Sequence, residues 1–521
     1  MFKKTFYLLS ISLILITCKQ EKEIRLSAFL EDCSNIVGKQ EHLNSPYVTA
    51  GNKVYMIGHQ DGSFPNLGWH IKGEMGGIWN HPIKLMDGFD IHIDYGDKSY
   101  PLNNATTFTN YPFANIHHFK IKEKNLSIQR IQFVPDNTEG IAIQLEIFND
   151  GNTTQKFDLT YTGHSDLRAN WLGDNTEMIN GLDIATFNSN IDGWVVKDQN
   201  NPWFVCYSAS IQSDFHSQSS KSFDKMGTSN TLGYSITIKP YELKTILFVI
   251  AGSYTSEKVA ITTLQTILDN IPIMLNEKKE RYKKLANQTR LSVPNKKLEQ
   301  NFEWLKYHSD WLVHQTPEID SSIGVNPTNY PLLFGLDKEP FVIAQNDTLD
   351  SIALNNSNDP FNVLNNLKQI TSTFNYALPS SIYELKSKYG IATQVGNNLS
   401  FAHPILNQLF DIQSNTVEKK IVIKPQIPKD WGEASLENVA IGDNTISIYF
   451  SQNKKSITIR ALQTNWDWSF EVVLPRKHKN DGLSVRLGEN ASITNNLFKV
   501  RAINGEIDTA VYFQKNIINT D

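Results

Sequence analysis

The chain has 521 residues, 40% of them hydrophobic, with 49 Lys and Arg against 54 Asp and Glu. That length suggests about three domains, and the apolar fraction excludes global disorder. A net charge of −5 gives no electrostatic case for nucleic acid as a partner, and three cysteines exclude a disulfide framework.

In the first residues, Lys3 and Lys4 precede an apolar run from Phe6 to Ile16. This run is shorter than the ~20 residues of a permanent bilayer helix and reads as an export signal. Leu15-Ile16-Thr17-Cys18 resembles a bacterial lipobox. The resemblance implies lipidation of Cys18 and a membrane-anchored lipoprotein, periplasmic or on the cell surface. The charged Lys19–Glu23 is then a tether. Cys33 and Cys206 are expected to be buried thiols.

From Arg25 to Ser253 the pattern is mostly strand. Gln129–Val134 and Ala142–Phe148 flank the turn residues Pro135-Asp136-Asn137, and Trp194–Val196, Trp203–Val205, Tyr234–Ile238 and Thr245–Ile250 follow. So many strands over more than 200 residues imply a large sandwich. At Ser256 the period changes. Ile261, Leu264, Leu268 and Ile271 have helical spacing, Pro272 interrupts, and Leu275, Tyr282 and Leu285 resume it. The run Glu277–Lys284 reads as the solvated face of this linker. Asn295 caps a next helix with two apolar stripes, Leu298, Phe302, Leu305 and Leu312, then Trp304, His308 and Trp311, so that helix is buried on two sides. Asp359-Pro360 starts another helix, and a last one covers Ile391 to Phe410 with a kink at Pro404. Strands return after Asn415, about seven of them, as a small sandwich.

Two acidic segments in the helical section carry a chemical hint. Asp337 and Glu339 follow the apolar Pro/Gly run that begins at Tyr330, and Glu384 ends the loop that starts at Pro379. Glycoside hydrolysis uses two carboxyls across the scissile bond, one protonated and one ionised. Solvated loop acids are the common alternative for such residues. Within Gly58–Trp79, the residues Trp69, His70, Glu74 and Trp79 stand among many glycines and are candidate ligand contacts. Asp87, Asp90, Asp94 and Asp97 lack the glycine and terminal Glu of a calcium loop and read as solvated turn residues. His117 and His118 would face opposite sides of a strand. No metal or cofactor is expected.

The motif Gly58–Pro65 running on through Gly68–Trp79 resembles bacterial lipoproteins of the glycogen-debranching-like type with an N-terminal domain of unknown function. These are similar to the six-hairpin glycosidases. Shorter matches are Phe302–Tyr307, Tyr330–Glu339, Tyr383–Gly390 and Ile427–Trp431. The resemblance implies a multidomain β and α chain: signal peptide (1–17), lipid tether (18–26), large N-terminal β-sandwich (27–255), linker helices (256–294), partial α/α-toroid (295–415) and small C-terminal β-sandwich (416–516). It implies Asp337 as general acid, with Glu339 as competing acid, Glu384 as the base that activates water, and Tyr330 as a sugar contact. The partner implied is an oligosaccharide or polysaccharide.

Two departures bear on activity. Leu332 and Leu333 stand where relatives usually carry Trp, and Lys338 sits between the two acids and favours their ionised forms. The span Asn295 to Asn415 holds 121 residues. A twelve-helix toroid needs about 200 or more. The expectation is a truncated toroid remnant, an open arc of at most six helices, and either a glycosidase or a non-catalytic carbohydrate-binding or scaffold protein derived from one.

Overall fold

The computed structural model describes residues 24–64, 76–80, 83–169, 179–219, 226–313, 404–475, 482–485, 490–494 and 497–514. Among them the chain is a β-rich, multidomain protein with two long helices. The first sheet has nine strands, in the spatial order Ile36–Val37, Thr107–Asn110, Ala114–Ile121, Leu126–Phe133, Gly140–Asn149, Leu243–Ser253, Phe204–Ala209, Gly193–Asp198 and Asp183–Asn188. The second, eight-stranded, runs Phe215–Gln218, Thr228–Ile238, Gln155–Ala169, Ile83–Tyr95, Gly77–Asn80, Val54–His59 and Pro46–Ala50, with Lys98–Pro101 paired on Ile83–Tyr95.

The facing sides of these sheets share one core. Ile246, Phe248 and Ile250 of the first meet Tyr161, Leu232 and Tyr234 of the second, and Tyr161 stacks on Phe248 at 4.7 Å. The alternate residues Leu247, Val249 and Ala251 point the other way, into a second core with the linker helix. A strand buried on both faces must read as a continuous apolar run, which is why Thr245–Ile250 does.

The linker is a single helix, α1 (Glu257–Asn287), of 31 residues. Ser256 caps it, its hydroxyl oxygen accepting the Val259 amide at 3.3 Å. Pro272 does not break it. A mid-helix proline costs about 3 kcal/mol, but Ala260, Leu264, Ile267 and Ile271 before it and Leu275, Tyr282 and Leu285 after it are all buried, and that packing offsets the cost. The charged run is not wholly solvated either. Lys278 is buried, and its ammonium donates to the Ala50 and Val134 carbonyls at 2.6 Å each. Cys206 is buried and Cys33 only half-buried.

After α1, Arg290–Ser292 joins a third sheet, and α2 (Lys296–Val313) begins. Asn295 accepts the Leu298 amide at 3.1 Å as its cap. Leu298, Phe302, Trp304, Leu305 and Tyr307 are all buried, so α2 is covered on more than one side. The Trp311 side chain, residues 314–403 and with them the expected helical arc lie outside the described residues. A short helical turn, Pro404–Leu409, returns Ile405, Leu406 and Leu409 to the second core.

The C-terminal strands form two more sheets. The third sheet orders Arg290–Ser292, Glu433–Ile441, Asn444–Gln452, Ser456–Gln463, Glu506–Gln514 and Gly482–Val485. The fourth orders Ile412–Asn415, Lys420–Ile423, Ser469–Pro475, Leu497–Arg501 and Ala491–Thr494. Sequence reading found seven of these strands; Arg290–Ser292, Ile412–Asn415, Ala491–Thr494 and Leu497–Arg501, each of five residues or fewer, escaped it.

Candidate functional site

The glycine-rich motif connects two neighbouring antiparallel strands of the second sheet, Val54–His59 and Gly77–Asn80, paired Ile57 to Gly77. The first half of the connection is a fixed turn. The Ser63 amide and hydroxyl donate to Asp61 at 2.8 and 2.7 Å, and the Asp61 amide reaches the Leu43 carbonyl at 2.6 Å. Beneath it lies Arg130, 1% exposed, whose guanidinium donates to the Gly62 and Leu102 carbonyls at 2.8 and 3.2 Å. Arg130 sits over Phe89 and Phe119 at 5.3 and 5.5 Å. Burial lowers its pKa, and the nearby Tyr47 and Asp61 oppose that shift. Phe64 closes the turn against Phe89 at 4.8 Å and lies so near Gly88 that a Cβ there would stand 2.4 Å from its ring.

The second half ends at Gly77, φ +91°, where a Cβ would meet the Met86 carbonyl oxygen at 2.1 Å. Only glycine lets the chain re-enter the sheet there. Between the two halves lie Trp69, His70 and Glu74, outside the described residues. The described ends of the motif are thus held by Asp61, Arg130, Phe64 and Gly77.

Trp79 is corrected by the structure. It is 1% exposed, its ring parallel to Tyr55 at 6.4 Å, with the Lys84 ammonium 5.5 Å from the ring centre and the indole N–H donating to the Gly76 carbonyl at 3.3 Å. Tyr55 and Trp79 are direct cross-strand partners. A tryptophan with both faces covered by protein is core, not a sugar platform. The glycines around it made it look like a loop residue; its place in a short strand was hidden by them.

Asp337, Glu339, Glu384, Tyr330 and Cys18 lie outside the described residues. Of the short sequence matches, Phe302–Tyr307 is described, within α2. There the Tyr307 hydroxyl donates to Glu303 at 2.5 Å. Lys306, 1% exposed, donates to the Ala286 and Gln288 carbonyls at 2.6 and 2.9 Å and so closes the C-terminus of α1. Burial lowers its pKa to about 8.

Sequence reading missed one perturbed acid. Asp183 accepts the Leu167 amide at 2.9 Å on one oxygen, while its other oxygen is buried without a partner. Desolvation first, then the carboxylates of Asp166, Asp198 and Asp87, push its pKa up to about 8. Nothing in the local sequence signals this, because the crowding comes from three other strands or turns. The folded state keeps this proton up to about pH 8, whereas the unfolded chain gives it up near pH 4. The unfolded state thus binds fewer protons between those values, and stability falls as pH rises across that window. Asp183→Asn should flatten this loss, measured as the denaturant midpoint at pH 5 and pH 8. An unchanged pH slope in the variant would show that Asp183 is ionised in the fold.

Among the described residues no cluster of His, Cys, Asp or Glu has metal-binding geometry, and no helix is long and apolar enough to cross a membrane. No protein-family model matches the sequence, and no curated protein matches it. Among solved structures, a putative kojibiose phosphorylase from the human microbiome aligns over 84% of this chain and 96% of its own, at 8% identity and a TM-score of 0.48. A bacterial glucoamylase complexed with acarbose aligns over 52% of this chain and 40% of its own, at 10% identity and a TM-score of 0.33. The inverting family GH92 mannosidase of Bacteroides thetaiotaomicron aligns over 51% and 35%, at 10% identity and a TM-score of 0.33. The chain thus spans less than half of the glucoamylase and the mannosidase. By their names these neighbours are carbohydrate-active enzymes.

Proposed function

We propose that the chain is an exported, lipid-anchored protein of the six-hairpin glycosidase type that takes an oligosaccharide as its ligand. One observation supports this reading most. Along the chain come a two-sheet unit, a long helix, a helix buried on more than one side and a second pair of sheets, the order that the sequence motifs of the N-terminal connection, α2 and Ile427–Trp431 imply. Asp337 would protonate the leaving oxygen and Glu384 would activate water, with inversion at the anomeric carbon. Glu339 competes for the acid role. Trp69, His70, Glu74 and Tyr330 would contact the sugar. The sandwiches, the toroid remnant and the anchor at Cys18 are parts of the same proposal.

The second reading, a non-catalytic carbohydrate-binding or scaffold lipoprotein, is favoured by the 121 residues from Asn295 to Asn415 and by Leu332 and Leu333 in place of sugar-stacking Trp. One set of measurements separates the two. On α-linked oligosaccharides, Asp337→Asn and Glu384→Gln should each lower turnover by about 10²–10⁴-fold, and proton NMR should show the inverted anomer first. Turnover untouched by both substitutions removes these residues from the mechanism. Binding without turnover in the unaltered chain leaves the non-catalytic reading. In the same preparations Cys18→Ala should leave the membrane fraction, and its retention there would make the first apolar run the anchor instead.

A further inference from the structure

The outward face of the third sheet carries a cleft of about 420 Å³, walled on one side by Val293, Pro294 and Lys296 where the chain passes from the linker strand into α2. Its floor is built by register. Ser292, Ser435, Tyr449, Arg460 and Asp508 are direct partners across five strands, and Glu433, Ser451 and Thr458 form the next row. Residues two apart on a strand share a face, so both rows lie together, while Leu436, Ile448 and Ile459 fill the core behind them.

A polar outer face is the ordinary state of an antiparallel sheet. Two features separate this one from a solvated face. It is concave, with a volume inside the ~300–1,000 Å³ range of small-ligand sites. Of its two lining aromatics, Phe450 is buried and the exposed one, Tyr449, is also fixed in place. Tyr449 is 37% exposed, and its hydroxyl donates to Glu437 at 3.2 Å, which Arg290 grips with two contacts of 2.8 Å. A held aromatic presents its face without losing further rotamer freedom on binding.

The charges decide the ligand class. Arg290 pairs with Glu437, Arg460 with Glu506 at 3.1 Å and Lys296 with Glu299 at 2.7 Å, and Glu433 adds a carboxylate to the wall. Every cation at the cleft already faces an anion. Phosphates, nucleic acids and acidic sugars find no surplus positive charge here. An uncharged, hydroxyl-rich ligand finds an aromatic residue beside serine and threonine hydroxyls, a guanidinium that donates and a carboxylate that accepts.

We infer that this cleft is a binding subsite for a neutral oligosaccharide, seated on Tyr449 and held by Arg460, Glu433 and the Ser451 and Thr458 hydroxyls. The inference rests on the reading of the chain as a sugar-handling protein, and adds a second sugar position away from the proposed catalytic acids. The test is hydrogen exchange read by mass spectrometry on the full chain, with maltoheptaose and, separately, cellohexaose. Peptides within 433–460 should exchange more slowly with at least one of the two. Tyr449→Ala should raise the sugar concentration needed for that protection tenfold or more. Thr458→Arg, a change at an exposed position that fills the cleft without touching the core, should do the same. Sugar turnover or protection elsewhere with no change in 433–460 overturns the subsite alone. Protection of 433–460 without turnover supports the subsite and counts only against the catalytic reading. No protection by either sugar overturns the subsite, and protection that survives both substitutions does so as well.

Discussion

Trp79→Ala should destabilise the N-terminal sheets by about 3–5 kcal/mol, the range for removing a large buried aromatic. The indole fills the space between Tyr55 and Lys84 and contributes to the core shared with α1. Its loss would open a cavity beside Gly77, where the backbone is already fixed by a positive φ and has little freedom to collapse. Trp79→Phe keeps most of the apolar contact and should cost markedly less. Chemical denaturation of the full chain, followed by fluorescence and circular dichroism, reads both. A loss under about 1 kcal/mol for the alanine variant would contradict the core role.

Asp310→Ala should cost about 1–3 kcal/mol by removing a buried carboxylate from its charged and hydroxyl donors. Asp310 is 2% exposed and takes two contacts from Arg281, at 2.6 and 2.8 Å, plus the Tyr282 hydroxyl at 2.8 Å. Arg281 also reaches Asp136 at 2.8 Å, and Lys278 lies 3.1 Å from the same carboxylate. This chain of ions is the polar weld between α2, α1 and the turn after Leu126–Phe133. Removing Asp310 leaves the partly exposed Arg281 and the buried Lys278 with the Asp136 carboxylate between them. Asp310→Asn keeps the shape and some hydrogen bonds, and should lie between wild type and alanine. The thermal midpoint of the full chain checks this, and equal midpoints for Asp310→Ala and wild type would show that Asp136 alone suffices.

Legibility followed periodicity. The apolar runs Gln129–Val134 and Ala142–Phe148 are strands paired antiparallel, Ala142 opposite Phe133. The stripe Leu264, Ile271, Leu275, Tyr282 and Leu285 faces the core as its spacing says. Gly442 takes the positive φ of the turn between Glu433–Ile441 and Asn444–Gln452. What stayed hidden was decided at long range. Lys278 looks like any lysine in a charged run until the Ala50 and Val134 carbonyls arrive from two different sheets. Asp183 looks like a strand-edge acid until three carboxylates surround it. Trp79 was misplaced because strand pairing, not local composition, buries it. Of the candidate site, the frame of the Gly58–Trp79 connection was visible as a motif, but the arginine that supports it sits 68 residues beyond Gly62 and carries no local mark.

The pairing of Arg290–Ser292 with Glu433–Ile441 also fixes where the section 293–432 leaves and rejoins the third sheet. A strand from before that section and strands from after it belong to one sheet. That section is therefore an insertion in a split sheet, and the strands that flank it are joined by hydrogen bonds of their own. For a chain closed in this way the entropy of closure grows only with the logarithm of its length, about 0.6 kcal/mol for each doubling. Residues could be gained or lost between Val313 and Pro404 with little consequence for the sheet to which both flanking strands belong. A cut placed between Ser292 and Lys296 would do the opposite, detaching an edge strand from a domain that begins more than a hundred residues later.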